Sequence, residues 1–315
     1  MKFYFSPNKM DNIDSKKILT IRDFFTFVYL FPLRKLAAIL PPKVTRFIST
    51  PLVYIYSLLP VSQKRRESIS KTMNLVFNQK KTKQDIKKLS QKCLRNSAYS
   101  FIDDLILNKL SMKDLAERGV VKGLDNLENA ILDKKGVILV GGHFSGDRVS
   151  KLFLRRMGFP IMCVRSKSPV GLLMSKVERK YFVPIMTRIL DNVLKDYIYI
   201  EDKGFGIEIL KRLRENGLVS ILFDAITIKK GIYCSFFGSQ HLFPTNFLQI
   251  AHLTGAAVIP MLCIGNSSSF TVMFEKKLEL KQLPNKEEFI SENLNTLVKL
   301  FELQILQYPT HWLMI

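Results

Sequence analysis

Between residues 136 and 280, short apolar, β-branched runs alternate with segments of helical pattern, and this alternation constrains the fold more than any other feature. GVILVGG (136–142) reads as a buried strand, VSKLFLRRMG (149–158) as a helix closed by Gly158, and PIMCVR (160–165) as the next strand. GIEILKRLRENG (206–217) reads as a helix ending at Gly217, followed by the strand LVSILFDA (218–225). AAVIPMLCIG (256–265) and SFTVMFEKKLEL (269–280) supply two further strands. Strands separated by helices pair in parallel through crossovers. The order therefore predicts an α/β domain over residues 121–315, with a largely parallel central sheet flanked by helices.

Two regions of different character precede it. Residues 1–63 are apolar with aromatic clusters, and residues 64–120 are polar and helical. In the second region Thr82 and Asp85 mark a helix start. Apolar residues follow at helical spacing through Ile86, Leu89, Cys93, Leu94 and Tyr99. No Gly/Ser-rich linker intervenes, so the helical part is expected to pack on the α/β part. The N-terminus opens on mixed polar and charged residues and lacks a cleavage-type motif, so it does not read as a secretory signal. FFTFVYLFPLRKLAAIL (24–40) is broken by Pro32, Arg34 and Lys35, and FISTPLVYIYSLLPV (47–61) is uncharged but only 15 residues long. A spanning helix needs about 20 apolar residues. Both stretches suit helices lying in one leaflet, with basic residues at the headgroups; the alternative is a pair of ordinary core helices.

The net charge is +21, from 48 basic and 27 acidic residues, which implies an anionic partner. Nucleic acid is set aside, because no recognition motif is present and the basic residues accompany membrane-type apolar stretches. Many lysines are solvated helix faces. The remaining cationic surface suits an anionic membrane, at about 1 kcal/mol per basic residue near it. Cys93, Cys163, Cys234 and Cys263 are scattered and form no CxxC pair, which fits reduced, buried thiols in a cytoplasmic compartment.

The chemistry-bearing candidate is His143, at the carboxyl end of the strand GVILVGG, where open α/β sheets bind ligands. Gly141 and Gly142 let a substrate approach the backbone, and the N–H groups of the next helix can hold an anion. A histidine here, with a carboxylate fixing its tautomer, makes a general base for a hydroxyl; a purely structural hydrogen-bonding role is the alternative. His252 reads as a packed or surface residue of a helix, His241 lies in a loop, and His311 is close to the C-terminus. No cluster has metal-ligand spacing, and GxGxxG, GxxxxGK[ST] and GxSxG are missing. No metal, no cofactor and no serine nucleophile elbow are therefore expected.

Several segments, in order, resemble the bacterial lipid A biosynthesis (late) acyltransferases, a family related to the lysophospholipid acyltransferases. They are KTMNLVF (71–77), GVILVGGHF at the histidine, MCVRSKSP (162–169), LKRLRENGLVSILFDA (210–225), CSFFGSQHLFPTNFLQIAHLTGAAVIP (234–260) and the tail QYPTHWLMI (307–315). The resemblance implies a glycerol-phosphate-acyltransferase-like fold on the cytoplasmic face of a bacterial inner membrane. It implies transfer of a fatty acyl chain from an acyl carrier protein or coenzyme A thioester to a hydroxyl of a lipid or glycolipid. His143 would remove the hydroxyl proton, a carboxylate would orient the histidine, and basic residues would hold phosphates.

The chain departs from the family's spacing of histidine, four residues, then a carboxylate. That slot holds Arg148, and the carboxylate, Asp147, comes one residue early. Three readings stay open. Asp147 is the acid of the dyad, reaching the ring if the helix starts early enough to put both residues on one face. Or Asp147 points elsewhere, with Arg148 binding phosphate. Or catalysis is lost, leaving a silent lipid-binding homologue. Arg165, on the strand after the motif, matches a basic family position and is a candidate phosphate contact or a surface arginine. Asp224, ending a buried strand, orients a loop or substrate or serves a structural hydrogen bond. Phe236, Phe237 and Gly238 shape the site floor or simply pack. Thr245 or Asn246, after Pro244, caps the following helix.

Overall fold

The computed structural model describes residues 27–167, 180–181, 183–225 and 231–313. The first residues of the stretch 24–40, the end of MCVRSKSP and the last two residues of the tail lie outside these.

A π-helical turn, Tyr29–Leu33, runs into α1 (Arg34–Ile39), α2 (Pro42–Leu58), α3 (Gln63–Val76), α4 (Lys83–Ile106) and α5 (Met112–Ala116). Thr82 caps α4, its hydroxyl accepting from the Asp85 N–H at 3.1 Å. Then come β1 (Gly119–Lys122), α6 (Leu124–Leu132), β2 (Val137–Gly141), α7 (Asp147–Arg156), β3 (Ile161–Arg165) and α8 (Val183–Leu194). They are followed by β4 (Tyr197–Tyr199), α9 (Phe205–Arg214), β5 (Leu218–Leu222), β6 (Ile232–Phe236), β7 (Ser239–Phe243), α10 (Asn246–Thr254), β8 (Ala257–Gly265), β9 (Phe270–Phe274) and α11 (Lys286–Gln307).

The sheet runs β1-β9-β8-β2-β5-β3-β4, parallel throughout except at β8–β9. The expected α/β architecture with a mostly parallel sheet flanked by helices is therefore present. β2 lies between β8 and β5, so the chain winds outward from it in both directions. Its side chains alternate between two cores: Val137 and Leu139 join α6, α7 and α8, while Ile138 and Val140 join α9, α10 and α11. A strand buried on both faces must read as a continuous apolar run, which is why GVILVGG was legible. α4 enters the first core through Ile102 and Ile106, seating the helical region on the sheet. The four cysteines are free and buried.

β6 and β7 form a separate antiparallel hairpin. This corrects the placing of His241 in a loop: it stands on β7, opposite Cys234. Phe237 and Gly238 are the hairpin turn, with φ of 47° and 75°. Positive φ at both central residues is the turn that matches strand twist, and Gly238 takes it without strain.

α2 is inverted relative to an ordinary surface helix. Its buried residues are Thr45, Arg46, Ser49, Val53 and Ser57, whereas Phe47, Ile48, Leu52, Tyr54, Ile55 and Leu58 are exposed. Arg46 pairs with buried Asp103 of α4, which Arg118 also meets at 3.3 Å. Among the described residues no single helix is long and apolar enough to cross a membrane; α2 and the segment Pro60–Val76 pass that test only together, bent by 73°.

Candidate functional site

The site is set by the pairing of β2 with β5. Gly141 stands beside Leu222 in the parallel register, and two residues further along each chain come His143 and Asp224. Both leave the carboxyl end of the sheet side by side. His143 Nδ1 lies 2.7 Å from Asp224 Oδ1, and the His143 backbone N–H donates to Asp224 Oδ2 at 2.9 Å. A carboxylate only accepts, so Nδ1 carries the ring proton and Nε2 keeps its lone pair. The His143 side chain is 40% exposed and that of Asp224 only 5%, so the imidazole faces outward and the carboxylate is sealed behind it. Gly142 makes this approach possible. A Cβ there would stand 2.9 Å from Phe144 and Phe223 and 3.2 Å from Asp224 Oδ2.

Electrostatically each group favours the charged form of the other. Burial disfavours the imidazolium, but the Asp224 charge and hydrogen bond outweigh it, and the His143 pKa is raised. Burial likewise opposes the Asp224 carboxylate, but His143 and the hydrogen bonds it accepts hold its pKa below the ordinary value.

Asp147 is not on the ring. α7 begins at Asp147 itself, after the non-helical Gly146, so residues 143 and 147 do not share a helix face. Asp147 faces forward along α7 to Lys151, whose Nζ lies 2.8 Å and 2.9 Å from its two oxygens. Lys151 is buried, and a buried ammonium needs a counter-charge. Arg148 turns to Asp104 of α4, itself buried. Arg165 pairs with Asp191 at 2.6 Å and lies against the rings of Tyr197 and Tyr199 at 5.3 Å and 5.7 Å. Both arginines are thus held by carboxylates of this chain. Gly238 and Phe237 serve the hairpin turn, while Phe236 reaches the site's wall, edge-on to Trp312 at 5.7 Å. Thr245 precedes α10 without a capping side-chain hydrogen bond.

The tail beyond α11 completes the site, which the sequence reading did not foresee. Trp312 Nε1 donates to Asp224 Oδ2 at 2.9 Å. The tail backbone pairs with the histidine loop: Leu313 N–H donates to His143 O at 2.7 Å and Ser145 N–H to His311 O at 2.9 Å. His311 Nδ1 lies 2.8 Å from Ser145 Oγ, and burial pulls the His311 pKa down to about 4, leaving the ring neutral. The role of Asp224 did have a signal in the sequence. GVILVGGH and GLVSILFD are equal-length runs, each opened by a glycine, one ending in His143 and the other in Asp224. Nothing local in the sequence announces the tail.

Among the described residues no group of three or more His, Cys, Asp or Glu is placed to hold a metal ion. What the arrangement can do is take a proton at Nε2 and hold the resulting imidazolium against a buried carboxylate.

The sequence pattern of the family described as bacterial lipid A biosynthesis acyltransferase matches residues 12–315. A solved structure of the 1-acyl-sn-glycerophosphate (LPA) acyltransferase PlsC from Thermotoga maritima is similar at 13% identity and a TM-score of 0.36, over 82% of this chain and 97% of that one. Comparison with curated proteins finds no match.

Proposed function

This chain belongs to the bacterial lipid A biosynthesis acyltransferase family, and from that premise we propose that it is an O-acyltransferase with His143 as general base and Asp224 as the carboxylate that orients it. The observation that carries the reading is the 2.7 Å contact of His143 Nδ1 with Asp224, which turns Nε2 toward the exposed side at the sheet's carboxyl end. In the proposed step the acceptor hydroxyl passes its proton to Nε2 as its oxygen attacks the thioester carbonyl carbon. The C–S bond then breaks, and the departing thiolate takes the proton from the imidazolium. The products are an oxygen ester and a free thiol, and the histidine returns to neutral.

The donor is an acyl carrier protein or coenzyme A thioester, and the acceptor is a lipid or glycolipid hydroxyl. The chain works on an anionic membrane surface, at the cytoplasmic face of a bacterial inner membrane. The inverted α2 supports this placement. Its exposed Phe47, Leu52, Ile55 and Leu58 form an apolar face that water does not favour, of the kind that marks a membrane or protein contact, and the +21 charge suits anionic headgroups. A catalytically silent homologue would use His143 only structurally, yet no hydrogen bond of Nε2 is found among the described residues. The test is turnover of labelled acyl thioesters, carrier-linked and CoA-linked in separate arms, with lysophospholipid and phosphorylated glycolipid acceptors. His143→Ala is expected to lose about 10²–10⁴-fold in kcat, the span of general base catalysis. Equal turnover by wild type and His143→Ala contradicts the reading.

A further inference from the structure

Asp224 has two oxygens, and the ring of His143 uses only one. A carboxylate fixed at a single oxygen can rotate and carry its partner out of line. Here Oδ2 is occupied by two donors, the His143 backbone N–H at 2.9 Å and the Trp312 indole N–H at 2.9 Å. The first belongs to the residue being oriented. Only the second comes from a different part of the chain.

Trp312 is itself firmly placed. Its backbone bridges Phe144, its ring is buried edge-on against Phe236, and the preceding Thr310 carbonyl accepts from Asn96 Nδ2 of α4 at 2.9 Å. The tail therefore grips the histidine loop through its backbone and the carboxylate through its indole. The other charges acting on His143 are Asp147 and Arg148 of α7, which are engaged with Lys151 and Asp104. His311 in the tail is neutral.

We propose that Trp312 is a positioning residue of the site: its indole N–H locks Asp224 so that Oδ1 stays on His143 Nδ1. The inference deepens the acyl-transfer reading and rests on it for its kinetic test alone.

The chain contains one tryptophan, so growth on 5-fluorotryptophan labels position 312 only. In the full-length protein the ¹⁹F resonance is expected to titrate with the midpoint of the acid limb of kcat/KM, and to lose that titration in His143→Ala. Trp312→Phe keeps a packing ring and removes the donor. Its kcat is expected to fall about tenfold to a hundredfold, the factor for one hydrogen bond to a charged acceptor, while KM stays within about twofold. Its acid limb is expected to move to higher pH, because the positive end of the N–H dipole no longer opposes the imidazolium. Asn96→Ala loosens the tail without touching Asp224 and is expected to leave that limb in place. Wild-type kcat and limb in Trp312→Phe, an equal displacement of the limb in Asn96→Ala, or a ¹⁹F resonance flat through the His143 titration each overturns the proposal. Should Trp312→Phe fail to fold, the ¹⁹F titration decides. Full activity in His143→Ala defeats the acyl-transfer reading instead, and the ¹⁹F titration still tests Trp312.

Discussion

At the scale of single residues, the site turns on which carboxylate meets His143. Because Asp224 raises the His143 pKa and the proposed base is the neutral ring, kcat/KM is expected to be lost as pH falls through a midpoint above the ordinary value of about 6.5. In Asp224→Asn burial is no longer outweighed, so the acid limb is expected to move to lower pH; a limb that stays put in a pH–rate profile counts against the assignment. Asp147 has a different task. Asp147→Asn strands buried Lys151 and is expected to cost about 3 kcal/mol of stability, read from urea midpoints. The sequence singles out His143 and offers Asp147 as its partner in one of three open readings, and that reading needs a shared helix face, which i,i+4 spacing implies only within one helix. α7 starts at Asp147 and leaves His143 outside it.

At the scale of elements, the register of two strands does what local spacing cannot. β2 and β5 deliver His143 and Asp224 side by side, and Gly142 keeps the space between them clear. Gly142→Ala is expected to push the Asp224 carboxylate or the Phe223 ring aside and lower kcat while the protein stays folded; near wild-type kcat in steady-state assays contradicts this. Buried strands were legible because both faces are apolar. The β6–β7 hairpin was not, because Tyr233, Ser235, Gln240 and His241 face solvent and its turn begins with Phe237 at φ 47°, not with a usual turn residue. The amphipathic order of α2, polar inside and apolar outside, tests the membrane proposal. Phe47 is 81% exposed, and Phe47→Ser is expected to weaken binding to anionic vesicles about tenfold or more, the effect of withdrawing one large apolar side chain from lipid. Unchanged co-sedimentation contradicts that orientation.

At the scale of the whole molecule, buried charges shape the response to pH. Burial lifts the Asp103 pKa to about 7 against the Arg46 charge, and that of Asp104 to about 6 against Arg148. Such groups hold protons in the folded chain that the unfolded chain releases, so stability falls as pH rises from about 4 to about 7. His143, also raised, contributes stability that is lost as pH rises through its folded value. Asp224, lowered, contributes stability lost only as pH falls below about 4. From these four groups the urea midpoint is expected to be highest near about pH 4 and to fall as pH rises toward about 7, and a maximum above pH 7 contradicts that balance. The helix-and-strand alternation made the fold class readable. The tail's return to the histidine loop was hidden, because contact between residues 143–145 and 311–313 follows from three-dimensional closure alone. The most direct test of the central assignment compares acyl transfer by Asp224→Asn and Asp147→Asn side by side. A kcat/KM reduced about 10²–10⁴-fold in Asp224→Asn, with Asp147→Asn within about tenfold of wild type while folded, is the expected result; the reverse order contradicts it.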